Sequence, residues 1–239
     1  MIEKVRSPKS HVNTGIFKFI RDPYGSVKAD PTSRYRYLLV FIGWVFQGVL
    51  YADKTEKIFK ITFDLGLTLL VYFIVVNIAG MINSVTALLF SFLFAHTINW
   101  ILNVGIWCSL RGRYGMHVNG VGATDLQEYA KNMQKRARSE RSIMAAAIYG
   151  SVARGEAKET SDLDIRIIRK PGIYNGVRAC SFGLLERFRA LKNKVPLDLC
   201  VIDSTEHLAK LRTDECPLIM YDPSGIFSSV YNAVNYLDP

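Results

Sequence analysis

The chain has 239 residues, 49% of them hydrophobic, with 30 Lys/Arg against 21 Asp/Glu and a net charge of +9. That length is enough for one or two domains with a real core. Its four cysteines, Cys108, Cys180, Cys200 and Cys216, form no Cys-x-x-Cys pair, which argues against a zinc site and an oxidising compartment, and no basic run with interleaved aromatics points to nucleic acid.

The charge is sharply partitioned. Residues 1–60 hold eleven Lys/Arg and five acids, residues 61–110 hold no Lys or Arg and the single acid Asp64, and residues 111–239 hold nineteen and fifteen. An apolar block flanked by basic segments suits a bilayer with anionic lipid. Residues 1–36 are polar and basic, with Pro8, Pro23, Gly25 and Pro31 as breakers, and read as an N-terminal arm. They contain no apolar stretch of secretory-signal length. Residues 37–110 form a membrane region. Within it, 37–51 is shorter than a span of about 20 residues and reads as an interfacial or re-entrant helix, with a third span as the weaker alternative. Residues 52–60 are a charged break. Residues 61–80 and 84–110 are two transmembrane candidates joined by the short link 81–83, hence a helical hairpin. Asp64, one turn into the first span, is expected to reach the headgroups. His96, Asn99 and Asn103 share one face of the second span and predict helix–helix hydrogen bonding within the hairpin or in a homo-oligomer formed through the spans. Basic flanks on both sides of the hairpin place the N-terminus and the C-terminal domain in the cytoplasm of a multi-pass cell-membrane protein.

Residues 111–122 are a Gly-rich linker, and the domain 123–239 follows. Thr124 to Gln127 spells a capping box, predicting a basic helix over 125–141. Apolar runs then alternate with helical stretches: strands at 143–149, 163–168, 197–202 and 218–221, and helices at 151–157, 178–194 and 205–211. Such alternation predicts an α/β fold with a mixed sheet, preceded by the two-helix transmembrane segment.

Chemistry concentrates between Gly150 and Asp198. The strand at 143–149 ends in Gly150-Ser151, where a helix begins. Glycine lets an anion approach the backbone, and the serine hydroxyl can donate to it. Ten residues separate Ser151 from Asp162. Asp162 and Asp164 are two apart on a strand and so share a face. Adjacent carboxylates repel unless a cation lies between them. Asp198, a lone acid in an apolar strand, is costly unless paired with a buried arginine or bound to metal. Asp203, at the end of that strand, is the competing third acid. Arg154 is a candidate phosphate contact or a salt link to Glu156 or Asp162.

Gly150-Ser151-Val-Ala-Arg154-Gly155-Glu156 followed by Ser161-Asp162-Leu-Asp164 resembles the nucleotidyltransferase superfamily of DNA polymerase beta, in particular its minimal members, over about residues 140–225. The resemblance implies that Gly150 and Ser151 hold the β,γ-phosphates of a nucleoside triphosphate, ATP in the first instance. It implies that Asp162, Asp164 and Asp198 ligate two Mg²⁺ ions, and that an acceptor hydroxyl attacks the α-phosphate, transferring NMP with loss of pyrophosphate. The small relatives of that type are soluble, and the apolar hairpin departs from them. A tether favours an acceptor at the membrane, either a lipid-linked molecule or a membrane protein. The alternative is a non-catalytic nucleotide-sensing or scaffold subunit of a membrane complex.

Overall fold

The computed structural model describes residues 35–50, 52–78, 84–110, 121–210 and 216–238. The arm up to residue 34, the hairpin link at 81–83 and the linker residues 111–120 lie outside the described residues. In chain order the elements are α1 (Tyr35–Phe46), α2 (Lys54–Asn77), α3 (Ser84–Asn103), the short α4 (Ile106–Cys108), α5 (Ala123–Ser139), β1 (Ile143–Tyr149), the short α6 (Gly150–Ala153) and β2 (Leu163–Arg169). They continue with α7 (Ile173–Lys192), β3 (Leu197–Ile202), a 3₁₀ turn (Thr205–Lys210), β4 (Leu218–Tyr221), α8 (Ile226–Val230) and β5 (Asn235–Tyr236).

The sheet order is β3-β2-β1-β4-β5. Strand β1 runs antiparallel to both β2 and β4, whereas β2 and β3 are parallel, as are β4 and β5. The mixed α/β class expected from the sequence is the one observed. The thirteen residues between β1 and β2 hold only the four-residue α6, with no helix long enough to cross over the sheet, and the pair is antiparallel, while the β2–β3 connection carries the whole of α7 and allows a parallel one. One face of the sheet packs Ile148, Ile165 and Val201 under α5 and α7, through Leu126, Met133 and Phe182. The other face packs Tyr149, Ile168 and Ile219 under the 3₁₀ turn and α8, through Leu208 and Phe227.

Several boundaries differ from the sequence reading. Helix α5 begins at Ala123 because the Asp125 carboxylate accepts the Gly122 N–H at 3.1 Å, two residues earlier than a cap at Thr124. Helix α7 starts at Ile173, directly after the Pro171-Gly172 turn, rather than at Arg178. The helix after β1 stops at Ala153, ahead of the left-handed Gly155 (φ 71°). Helix α8 and strand β5 were not anticipated.

The largest correction is at residues 52–60. They are not a break: α2 is continuous from Lys54, so the charged residues form the first two turns of the first apolar helix. Helices α2 and α3 are both long and apolar enough to cross a membrane, and only 17% and 28% of their most apolar stretches are buried within the protein. A core helix of a soluble protein would be mostly covered. Asp64 does not turn outward: its Oδ2 lies 2.8 Å from Nδ1 of His96 on α3. Asn99 donates to Gln47 Oε1 at 2.6 Å and Asn103 bonds to Asn99, so the polar stripe of α3 is satisfied inside the helical bundle by α1, α2 and its own neighbours.

Candidate active site

Parallel pairing of β2 with β3 sets Asp164 directly opposite Asp198, and antiparallel pairing sets Tyr149, the residue before Gly150, opposite Asp164. The end of β1 and the starts of β2 and β3 therefore meet at one end of the sheet. Burial, followed by the nearby Asp162 and Asp198 carboxylates, pushes the Asp164 carboxyl well above the usual carboxylate range. Both neighbouring acids thus act on Asp164. Among the described residues no three such side chains already close into a metal cage; Mg²⁺ needs only one or two carboxylates beside phosphate oxygens.

Gly150 is fixed twice over. Its φ of 73° is left-handed, and a Cβ built there would lie 2.6 Å from Asp164 Oδ2. Only glycine lets the turn run this close to the acid. Ser151 follows on α6, which at four residues is too short for a useful macrodipole. Anion contact at this turn falls to individual backbone N–H groups and the serine hydroxyl. Arg154 forms the salt link to Glu156 at 2.9 Å, and both side chains are exposed.

Two groups at the site escaped the sequence reading. Arg166 is buried; its Nη1 donates to the carbonyls of Ile165 and Asp198, and its Nη2 lies 3.2 Å from Asp198 Oδ2. The signal was present, because alternation along β2 puts 162, 164 and 166 on one face. Asp198 is therefore paired with a buried arginine, one of the two alternatives open from the sequence, while its carboxylate stays 31% exposed and available to a cation. The second is Cys108, whose Sγ lies 3.3 Å from Asp162 Oδ2. The cysteine sits on α4, immediately beyond α3, and the chain there approaches so closely that a Cβ at the left-handed Gly105 would meet the Leu197 carbonyl. No local pattern could have announced this contact across 54 residues.

Asp203 takes no part in the cleft. Burial tends to raise its carboxyl, but hydrogen bonds from Thr55 and the guanidinium of Arg169 outweigh this and hold it below the usual range. It belongs to a polar joint between α2 and the edge of the sheet. Asp203 Oδ2 accepts the Thr55 N–H at 3.0 Å, and the Asp203 N–H donates to Asp53 at 2.8 Å. One turn further on, the buried Glu56 accepts from the Val201 N–H at 2.9 Å, from Lys60 at 3.0 Å and from Arg187. The exposed edge of β3 is thereby capped by the charged turns of α2.

Residues 131–210 match the family model described as Polymerase beta, Nucleotidyltransferase. This segment is a nucleotidyltransferase domain of that family. No curated protein and no solved structure matches the chain. The match spans β1, the Gly150-Ser151 turn, β2, α7 and β3, so every element that carries an acid of the cleft belongs to the nucleotidyltransferase domain.

Proposed function

We propose that the chain is a membrane-anchored nucleotidyltransferase that moves NMP from a nucleoside triphosphate to a hydroxyl-bearing acceptor held at the bilayer surface. The observation that carries the reading is that Asp164, opposite Asp198 and acted on by Asp162, lies beside a glycine turn that tolerates no side chain. Three carboxylates in one cleft call for a cation, and a backbone turn next to them calls for an anion. A triphosphate with its magnesium supplies both.

The donor set fits Mg²⁺: oxygen ligands only, on or just before adjacent strands, with one acid raised by burial and by its neighbours. Asp162, Asp164 and Asp198 would hold two ions, which when bound neutralise the triphosphate and lower the pKa of the attacking hydroxyl. Gly150 and Ser151 bind the β,γ-phosphates through backbone N–H groups and the hydroxyl. Arg166 positions the Asp198 carboxylate. The exposed Arg154 can exchange Glu156 for phosphate. AMP is the NMP we favour, on the resemblance to small relatives.

Placement of the acceptor follows from Cys108. Its contact with Asp162 sets the end of the second apolar helix beside the acids, which supports an acceptor that is a lipid-linked molecule or a membrane protein. The basic flanks support a cytoplasmic domain. The test incubates membranes containing the full chain with each α-labelled nucleoside triphosphate and Mg²⁺. Label in the lipid extract or on a membrane protein, for one nucleotide above the others, is the expected result. Label confined to soluble products refutes the membrane acceptor, and no transfer with any nucleotide favours the non-catalytic sensing role.

A further inference from the structure

Helix α7 carries an exposed apolar stripe that neither the sheet nor the cleft uses. Ile173, Tyr174, Val177, Leu185 and Phe188 are 52% to 90% exposed. At 3.6 residues per turn they fall within a sector of roughly 120°. The opposite side of α7 faces the core through Ala179, Phe182 and Ala190. A row of large apolar side chains along a five-turn helix is not ordinary scattered surface hydrophobicity.

The position of α7 identifies what covers the stripe. The helix is tied at both ends to the bases of the two apolar helices. Near its start, Gly176 packs against Thr55 of α2, where a Cβ would be 2.8 Å from the Thr55 methyl. Near its end, Trp107, just beyond α3, donates to the Leu191 carbonyl at 3.0 Å. Between these points Arg187 reaches both Glu56 of α2 and Asn103 of α3. Helix α7 therefore lies across the foot of the hairpin, at the level where the apolar helices leave the domain. Around its circumference, the residues that touch the hairpin (Gly176 and Arg187) directly border the stripe at Ile173 and Val177. On α2, one and two turns beyond Thr55, Ile58 and Ile61 are themselves 55% and 48% exposed.

Charge completes the pattern. Arg178, paired with Glu140, and Arg189, paired with Glu186, line the far border of the stripe, and Lys170 and Lys192 stand at its ends. The single acid of α7, Glu186, is fully buried and bound by Arg136 and Arg189. We infer that α7 is an interfacial helix that lays Tyr174, Val177, Leu185 and Phe188 into the headgroup–acyl boundary of an anionic bilayer, with its basic border against the phosphates. This rests on the reading that α2 and α3 cross the bilayer. It adds that the catalytic domain is held flat on the membrane by its own helix rather than swinging from a tether.

The test uses the full chain in vesicles of phosphatidylcholine and phosphatidylglycerol with a clickable, acyl-labelled phospholipid. Photoreactive benzoylphenylalanine replaces Val177, Phe188, Leu69 or Ser228 in turn. Leu69 is an exposed residue in the middle of α2 and Ser228 an exposed residue on α8, remote from α7. Lipid adducts at 177 and 188 severalfold above those at 228, and comparable to those at 69, are expected. Adducts at 69 but not at 177 or 188 overturn the interfacial helix and leave the hairpin reading standing. Protein–protein adducts at 177 and 188 in place of lipid assign the stripe to a second copy and likewise overturn it. Absence of lipid adducts at 69 removes the spanning hairpin, and the inference falls with it.

Discussion

Gly150 shows how tightly single residues constrain this cleft. Its left-handed φ alone would cost a side chain about 1–2 kcal/mol, and the space a methyl needs is taken by the Asp164 carboxylate. Gly150→Ala is expected to displace that carboxylate and abolish transfer while the chain still folds, which circular dichroism and an activity assay read separately. Full activity in this variant would mean that the turn is not part of the site. Asp162→Asn and Asp198→Asn each remove one carboxylate of the three, and activity measured with increasing Mg²⁺ is expected to be lost in both. The Gly-Ser turn and Asp-x-Asp pair were legible in the sequence because their spacing is local. Arg166 was legible only as a residue on the face of Asp162 and Asp164; its pairing with Asp198, and the contact of Cys108 with Asp162, were not, since they join residues far apart in the chain.

At the scale of elements, the joint between α2 and the β3 edge is the feature that sequence patterning read in the opposite sense. Asp53, Lys54, Glu56, Lys57 and Lys60 together look like a solvated interruption. In the fold, Glu56 and Lys60 are buried and consumed by pairing with Arg187 and with the free edge of β3. Strands β1 to β4 were readable because each is a run of apolar residues between polar breaks, whereas α8 and β5 are too short to show any period. Removing one partner of a buried ion pair typically costs about 3–5 kcal/mol. Glu56→Gln and Arg187→Gln should therefore each destabilise the detergent-solubilised chain, and the double variant should lose much less than their sum. Additive losses in thermal unfolding would show that the two side chains do not act as a unit. Asp203 gives the same joint a pH dependence. Its carboxyl is lower in the folded chain than unfolded, so the stability it adds is complete above the unfolded value of about 4. That contribution is lost as pH falls through the depressed folded value. Asp203→Asn is expected to flatten the decline in unfolding temperature on acidification below that point, and an unchanged decline would assign it to other carboxylates.

For the whole molecule, the hairpin and the nucleotidyltransferase domain form one body by contact. Asp53, Thr55 and Glu56 of the first apolar helix bond to the β3 edge, and the residues after the second helix press on Asp162 and Leu197. Placing the domain boundary at 123, as composition does, severs those contacts. Expressed alone, residues 123–239 leave Arg187 and the Val201 N–H without Glu56, and should unfold at lower temperature than the full chain or aggregate. A fragment as stable as the full chain would reduce the joint to a passive contact. The central claim, that Asp162, Asp164 and Asp198 with the Gly150 turn make a nucleotidyl-transfer site, is tested most directly by Mg²⁺-dependent pyrophosphate release from nucleoside triphosphates. The comparison is between the full chain and Asp164→Asn in the same membranes. Release by the wild-type chain and none by the variant is the predicted result; equal release from both would contradict it.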